Sequence, residues 1–148
     1  MKSTVRVLIL SHALRALAHA WLIKIGKTMR KVKLPSAPGE VRLSEADLSF
    51  VIGCTDFLVK LGAKRTGRKC FFRAFIAASV LRKWGVPVTM NIGLRPLPAL
   101  RKASGHCWLT LDGIPFAETG DPHREYPFAI GQGENGVRYW FGATAAST

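Results

Sequence analysis

Two residues of this chain have the types and placement for covalent catalysis, Cys70 and His106. A thiol attacks a carbonyl only as thiolate, so a nucleophilic cysteine needs surroundings that favour the charged form over the free thiol, whose pKa is about 8.5. Cys70 opens the run CFFRAFIAASVLRKW, in which apolar residues at 71, 75, 76, 80 and 84 recur at helical spacing and stop at Gly85. The thiol therefore falls at the start of a helix, at the positive end of the macrodipole, with Arg68 and Lys69 adding positive charge. A cysteine nucleophile also needs a base, usually a histidine brought from another element. His106 heads a predicted strand to Leu111, with His106, Trp108 and Thr110 on one face and Cys107, Leu109 and Leu111 on the other. Cys107 then reads as core.

A third group that orients the imidazole would complete the set, and two acids compete. Asp112 sits in an Asp112-Gly113 turn, which turn chemistry alone explains. Glu118 lies on the returning strand Ile114 to Thr119, and its face depends on the turn. A two-residue loop pairs His106 with Thr119 and sends Glu118 to the wrong side. A three-residue loop, Leu111 to Gly113 with a bulge at a left-handed Gly113, pairs His106 with Glu118, and this is the arrangement expected. A metal site is the rival use of Cys and His, but there is no CxxC or HxxxH, and the gaps between Cys54, Cys70, His106 and Cys107 match no usual zinc spacing. His12, His19 and His123 are expected to be surface or packing residues, and Cys54 a small buried hydrophobe.

Around these residues the chain divides in order. Val7, Leu10, Leu14, Leu17, Trp21 and Ile25 form a helical stripe, expected to face the core with a basic face opposite. Pro35, Pro38 and Gly39 mark a linker. Ser44 begins a short second helix with Asp47 as a capping partner, Leu48, Val51 and Ile52 on its buried side, and Gly62 at its close. After the Cys70 helix, Val86 to Leu94 alternates like a strand, a Pro-containing loop follows, and the His106 hairpin comes next. Tyr139, Trp140 and Phe141 suggest one further strand.

The 148 residues are 48% hydrophobic, enough for one domain with a core and too apolar for a disordered tail. Twenty-two Lys and Arg against nine Asp and Glu give a net charge of +13, which favours acidic partners without naming them. Three cysteines are too few for a disulfide framework and point to a reducing, cytoplasmic compartment. Arg6, His12, Arg15, His19 and Lys24 interrupt the N-terminal apolar run, which argues against a membrane span while leaving peripheral membrane contact open. A small basic nucleic-acid-binding protein is an alternative, but the basic residues are scattered and match no standard motif, so no nucleic acid is expected.

The segment CFFRAFIAASVLRKWGVPVTMNIGLR, followed by GHCWLTLDGIPFAE, resembles the transglutaminase-like cysteine peptidases of lasso-peptide maturation, the lasso B proteins. The shared features are Cys70 at a helix start, Gly85-Val86-Pro87 entering a strand, Ile92-Gly93-Leu94-Arg95 at its end, His106-Cys107-Trp108, and Glu118. Cys107 stands where the family usually has Ala, and Glu118 where Asp is common. The resemblance spans about residues 66 to 121. It implies an α+β, papain-like or transglutaminase-like fold in a single domain, 1–148, with a helical part (1–63) and a catalytic helix packed on an antiparallel sheet (64–148). It also implies a leader peptidase with Cys70, His106 and Glu118 as triad and no cofactor or metal. Its partners would be the precursor's leader peptide, a separate leader-recognition protein, since too few residues precede the peptidase for a fused one, and an ATP-dependent lasso cyclase. Acyl transfer to an amine, as in transglutaminases, is the alternative within the same chemistry. Papain-like enzymes often use a Gln at the oxyanion, but Gln132 is the only one here, so the Cys70 backbone N–H would contribute and the side-chain donor is unidentified.

Overall fold

The computed structural model describes residues 2–25, 43–62, 69–97, 102–133 and 136–141. The expected linker at Pro35, Pro38 and Gly39, and the basic residues Lys64, Arg65 and Arg68, lie outside them. Three helices come first, α1 (Lys2–Ile25), α2 (Glu45–Gly62) and α3 (Lys69–Lys83). Strands β1 (Thr89–Leu97), β2 (Lys102–Leu111) and β3 (Ile114–Phe116) follow, then the short helix α4 (Pro122–Glu125) and strands β4 (Phe128–Gly133) and β5 (Gly136–Phe141). The chain forms two compact units, Met1–Pro87 with the long helices and Val88–Thr148 with the sheet.

In the helical unit the ends are written in the sequence. Ser44 caps α2: its Oγ accepts from the Asp47 N–H at 3.2 Å and donates to the Asp47 carboxylate at 2.6 Å. Helix α2 runs to Gly62 as expected and buries Val51, Thr55, Leu58 and Val59, with Leu48 and Ile52 half-buried. Helix α3 ends in a Schellman motif, where Gly85 takes φ 79°, its N–H donates to Arg82 O, and the Val86 N–H donates to Leu81 O.

Helix α1 corrects the expected stripe. Ile9, Ala13, Ala16 and Ala20 are the buried positions, whereas Val7 is 63% exposed, Leu14 is 49% exposed and Leu10 is exposed too. Leu17 and Trp21 are half-buried, beside Gly62. Apolar residues ring most of α1, so periodicity alone did not select a face. The alanine face lets neighbouring helices approach closely, and α1 contacts both α2 and α3. The Trp21 ring lies 5.6 Å from Phe72 and the His19 ring 5.7 Å from Phe75. The interruptions in Thr4–Leu22 also proved too few to disqualify it: by length and composition alone this window suffices to cross a membrane.

The second unit is an antiparallel five-stranded sheet in the order β3-β2-β1-β4-β5. Strand β1 begins at Thr89 rather than at Val86, and β2 begins at Lys102, so His106 lies within the strand and does not open it. The single strand expected near the C-terminus is two. Strand β4 pairs with β1 through Ile92↔Ile130 and Gly93↔Ala129, and β5 pairs with β4. The glycines of FAIGQG read as loop in the sequence, and only long-range pairing with β1 makes the segment a strand.

The hairpin contradicts the three-residue loop. Leu111 pairs with Ile114 and Leu109 with Phe116, so Asp112-Gly113 is a two-residue turn. Both residues have positive φ, 52° and 82°, a type I′ turn whose twist matches that of the strands. Strand β3 ends at Phe116, short of the expected Thr119.

Candidate active site

His106 and Glu118 meet: Nε2 of His106 lies 3.4 Å from Oε2 of Glu118. The two-residue turn by itself would carry Glu118 to the opposite face. The strand stops instead at Phe116, and Ala117 adopts φ 56°, a left-handed conformation that a residue with a Cβ enters at a cost of about 1 kcal/mol or more. That single backbone reversal turns Glu118 to the histidine's side. The expected contact forms by a different route from the expected bulge.

Aromatic rings hold the histidine in place. Trp108, two residues on along the same face and fully buried, stacks on His106 with centroids 5.9 Å apart and an interplanar angle of 12°. Tyr126, just after α4, stacks on it at 5.4 Å and 29°. The His123 ring meets Trp108 edge-on at 5.4 Å, a packing role as expected for this residue, and the Arg95 guanidinium lies over Tyr126 at 5.6 Å. Gly93 makes room for this cluster. It pairs with His106 across β1 and β2, and a Cβ there would lie 2.6 Å from Tyr126 Cβ and 2.7 Å from the Trp108 ring.

Helix α4 positions Tyr126. Asp121 caps it, accepting from the N–H groups of His123 at 3.1 Å and Arg124 at 3.4 Å, with Pro122 at the first helical position. The sequence reading passed over α4 and Tyr126, although Asp121-Pro122 is itself a helix-start signal. Together these elements border a cavity of about 190 Å³ lined by His106, Glu118, Glu125 and Tyr126 among others. Glu118 is largely withdrawn from solvent, its side chain 14% exposed against 29% for His106.

Asp112, the competing acid, is exposed at the hairpin tip, beyond the end of β2 and six residues along the chain from His106. Cys107 is buried on the opposite face of β2. Cys70 is the second residue of α3, half-buried in its first turn at the positive end of the helix dipole. Cys54 is half-buried within α2, and burial pushes its thiol above the ordinary range. Among the described residues no cluster of three or more His, Cys, Asp or Glu is placed to hold a metal ion.

A model of the transglutaminase-like superfamily matches residues 13–129. The chain belongs to that superfamily. No curated protein and no solved structure matches it. Membership makes helices followed by an antiparallel sheet the expected architecture of a transglutaminase-like domain, and its members are generally cysteine-based enzymes, peptidases or acyl transferases. The matched span takes in Cys70, His106 and Glu118.

Proposed function

We propose that this transglutaminase-like protein is a papain-like cysteine peptidase that removes the leader from a ribosomally made lasso-peptide precursor before macrolactam closure. The observation that carries the reading is the His106–Glu118 pair, with the imidazole packed against both Trp108 and Tyr126 at the edge of a cavity. In this mechanism Cys70 is the nucleophile. The positive end of α3 favours negative charge on its sulfur, and His106 takes the thiol proton. Sulfur attacks the carbonyl at the leader–core junction, the C–N bond breaks, and the departing amine receives the proton from His106. Water then attacks the thioester, giving its proton to His106, and the C–S bond breaks to release the acid and regenerate the thiolate. Glu118 holds the imidazole in one tautomer and offsets its charge when protonated. The Cys70 backbone N–H is a donor for the oxyanion.

The protein acts in the cytoplasm, as one domain, with a separate leader-recognition protein presenting the precursor and an ATP-dependent cyclase consuming the product. The test is mass spectrometry of a lasso precursor incubated with the protein and its leader-binding partner. A single cut that adds one water and is lost in Cys70→Ala is the expected result. A product carrying an added amine, with no water gained, assigns acyl transfer, and a cut that survives Cys70→Ala overturns the mechanism.

A further inference from the structure

The helical unit contains a second cavity, about 200 Å³, that hydrolysis does not use. His12, Arg15 and His19 of α1 and Ser79 and Lys83 of α3 line it, over Phe75. Positions 12, 15 and 19 fall on one ridge of α1, and 79 and 83 on one ridge of α3, so two rows of side chains converge. Four nitrogen bases thus share one small space, and no carboxylate lines it. Among the described residues neither Arg15 nor Lys83 has an ion-pair partner.

Clustered cations repel one another, and the site registers this. The His12 imidazole is held below its ordinary value, first by burial and then by Lys83 and Arg15. Complementing the helix dipole explains Lys83, which lies in the last turn of α3. It does not explain His12, Arg15 and His19, which sit in the interior of α1 far from either end. Ser79 Oγ donates to Phe75 O at 2.7 Å, so toward the cavity it offers lone pairs and the nitrogens supply the donors. The edge contact with Phe75 orients His19.

We propose that this cavity between α1 and α3 binds a phosphoryl oxyanion, either inorganic phosphate or the phosphate of a small organic ester. A planar carboxylate offers two oxygens, whereas a phosphoryl group spreads three acceptors that can meet donors from both walls at once. The site is independent of the proposed peptidase reading and stands if that reading fails.

The test titrates inorganic phosphate, phenyl phosphate and a tetraglutamate peptide in turn into the full-length protein, by calorimetry and by NMR of the histidine ring signals. Phosphate is expected to saturate at one equivalent and to shift His12 and His19. It should also raise the His12 pKa, because an oxyanion stabilises the imidazolium against Lys83, Arg15 and His19. Arg15→Gln and Lys83→Gln, both at exposed positions, should each weaken binding about five- to tenfold, while Lys60→Gln on α2 leaves it unchanged. Tighter binding of phenyl phosphate supports an organic ester as the ligand, and binding of phosphate alone supports the free ion. Non-saturating shifts, equal weakening by Lys60→Gln, or tighter binding of the glutamate peptide at the same histidines would overturn the proposal.

Discussion

Replacing Gly93 by alanine tests whether the aromatic cluster around His106 is as tightly determined as the geometry requires. A Cβ at this position would stand 2.6 Å from Tyr126 Cβ and 2.7 Å from the Trp108 ring, against an ordinary contact of 3.4–4 Å. Neither neighbour has room to retreat easily: Trp108 is 0% exposed, and the Tyr126 atom approached is the Cβ beside its backbone. Overpacking of this kind costs about 1–3 kcal/mol. Against it stands the reduced backbone freedom of the unfolded chain, which favours Ala over Gly by about 0.4–1 kcal/mol. A net loss of about 1–2 kcal/mol remains, and for a chain of this length it lowers Tm by about 2–8 °C. Gly53→Ala is the matched control, because nothing lies within 4 Å of a Cβ there and the position is in the interior of α2. Helix propensity then predicts a gain of about 0.5–1 kcal/mol. Both variants are compared by thermal and urea unfolding, with near-UV circular dichroism reporting the tryptophan environment. Opposite signs are expected, with a changed near-UV spectrum in Gly93→Ala alone. A Gly93→Ala protein as stable as the parent, with the same spectrum, would refute the reasoning.

Two further outcomes follow from the site. Glu118→Gln keeps the shape but removes the charge facing His106. Since a hydrogen bond to a charged group is worth about 1.5–3 kcal/mol, kcat for precursor cleavage should fall about 10- to 100-fold. Asp112→Asn should leave kcat unchanged and the hairpin intact, because asparagine tolerates the positive φ of that position; equal losses in the two variants would remove Glu118 from its role. Thiol labelling separates the cysteines by pH. Burial raises Cys54, so its alkylation should begin only above the ordinary thiol range of about 8.5, whereas Cys70, at the start of α3, should label before it. Mass mapping of the adducts checks this, and simultaneous labelling would count against a special environment for Cys70.

Local signals carried much of this fold because the physics behind them is local. The α2 cap at Ser44 and Asp47, the αL glycine at 85 and the Asp112-Gly113 turn depend on conformational preferences and hydrogen bonds within a few residues. The face shared by His106 and Trp108 follows from strand alternation alone. Where several residues offered equivalent local choices, the sequence was ambiguous. Helix α1 is apolar nearly all round, and its alanines were outranked in the pattern by the larger leucines that the structure leaves exposed.

The sequence by itself singled out Cys70, His106 and Glu118 as candidates and fixed the helix that starts beside Cys70 and the strand that carries His106; it placed a turn at Asp112-Gly113 but with three residues where the structure has two. Tertiary structure decided what surrounds the histidine. The left-handed turn at Ala117 redirects Glu118 toward the histidine's side. Strand β4 finds its place beside β1, and α4 delivers Tyr126 to the imidazole. Each of these depends on partners distant in the chain, whose packing outweighs local preferences of about 1 kcal/mol.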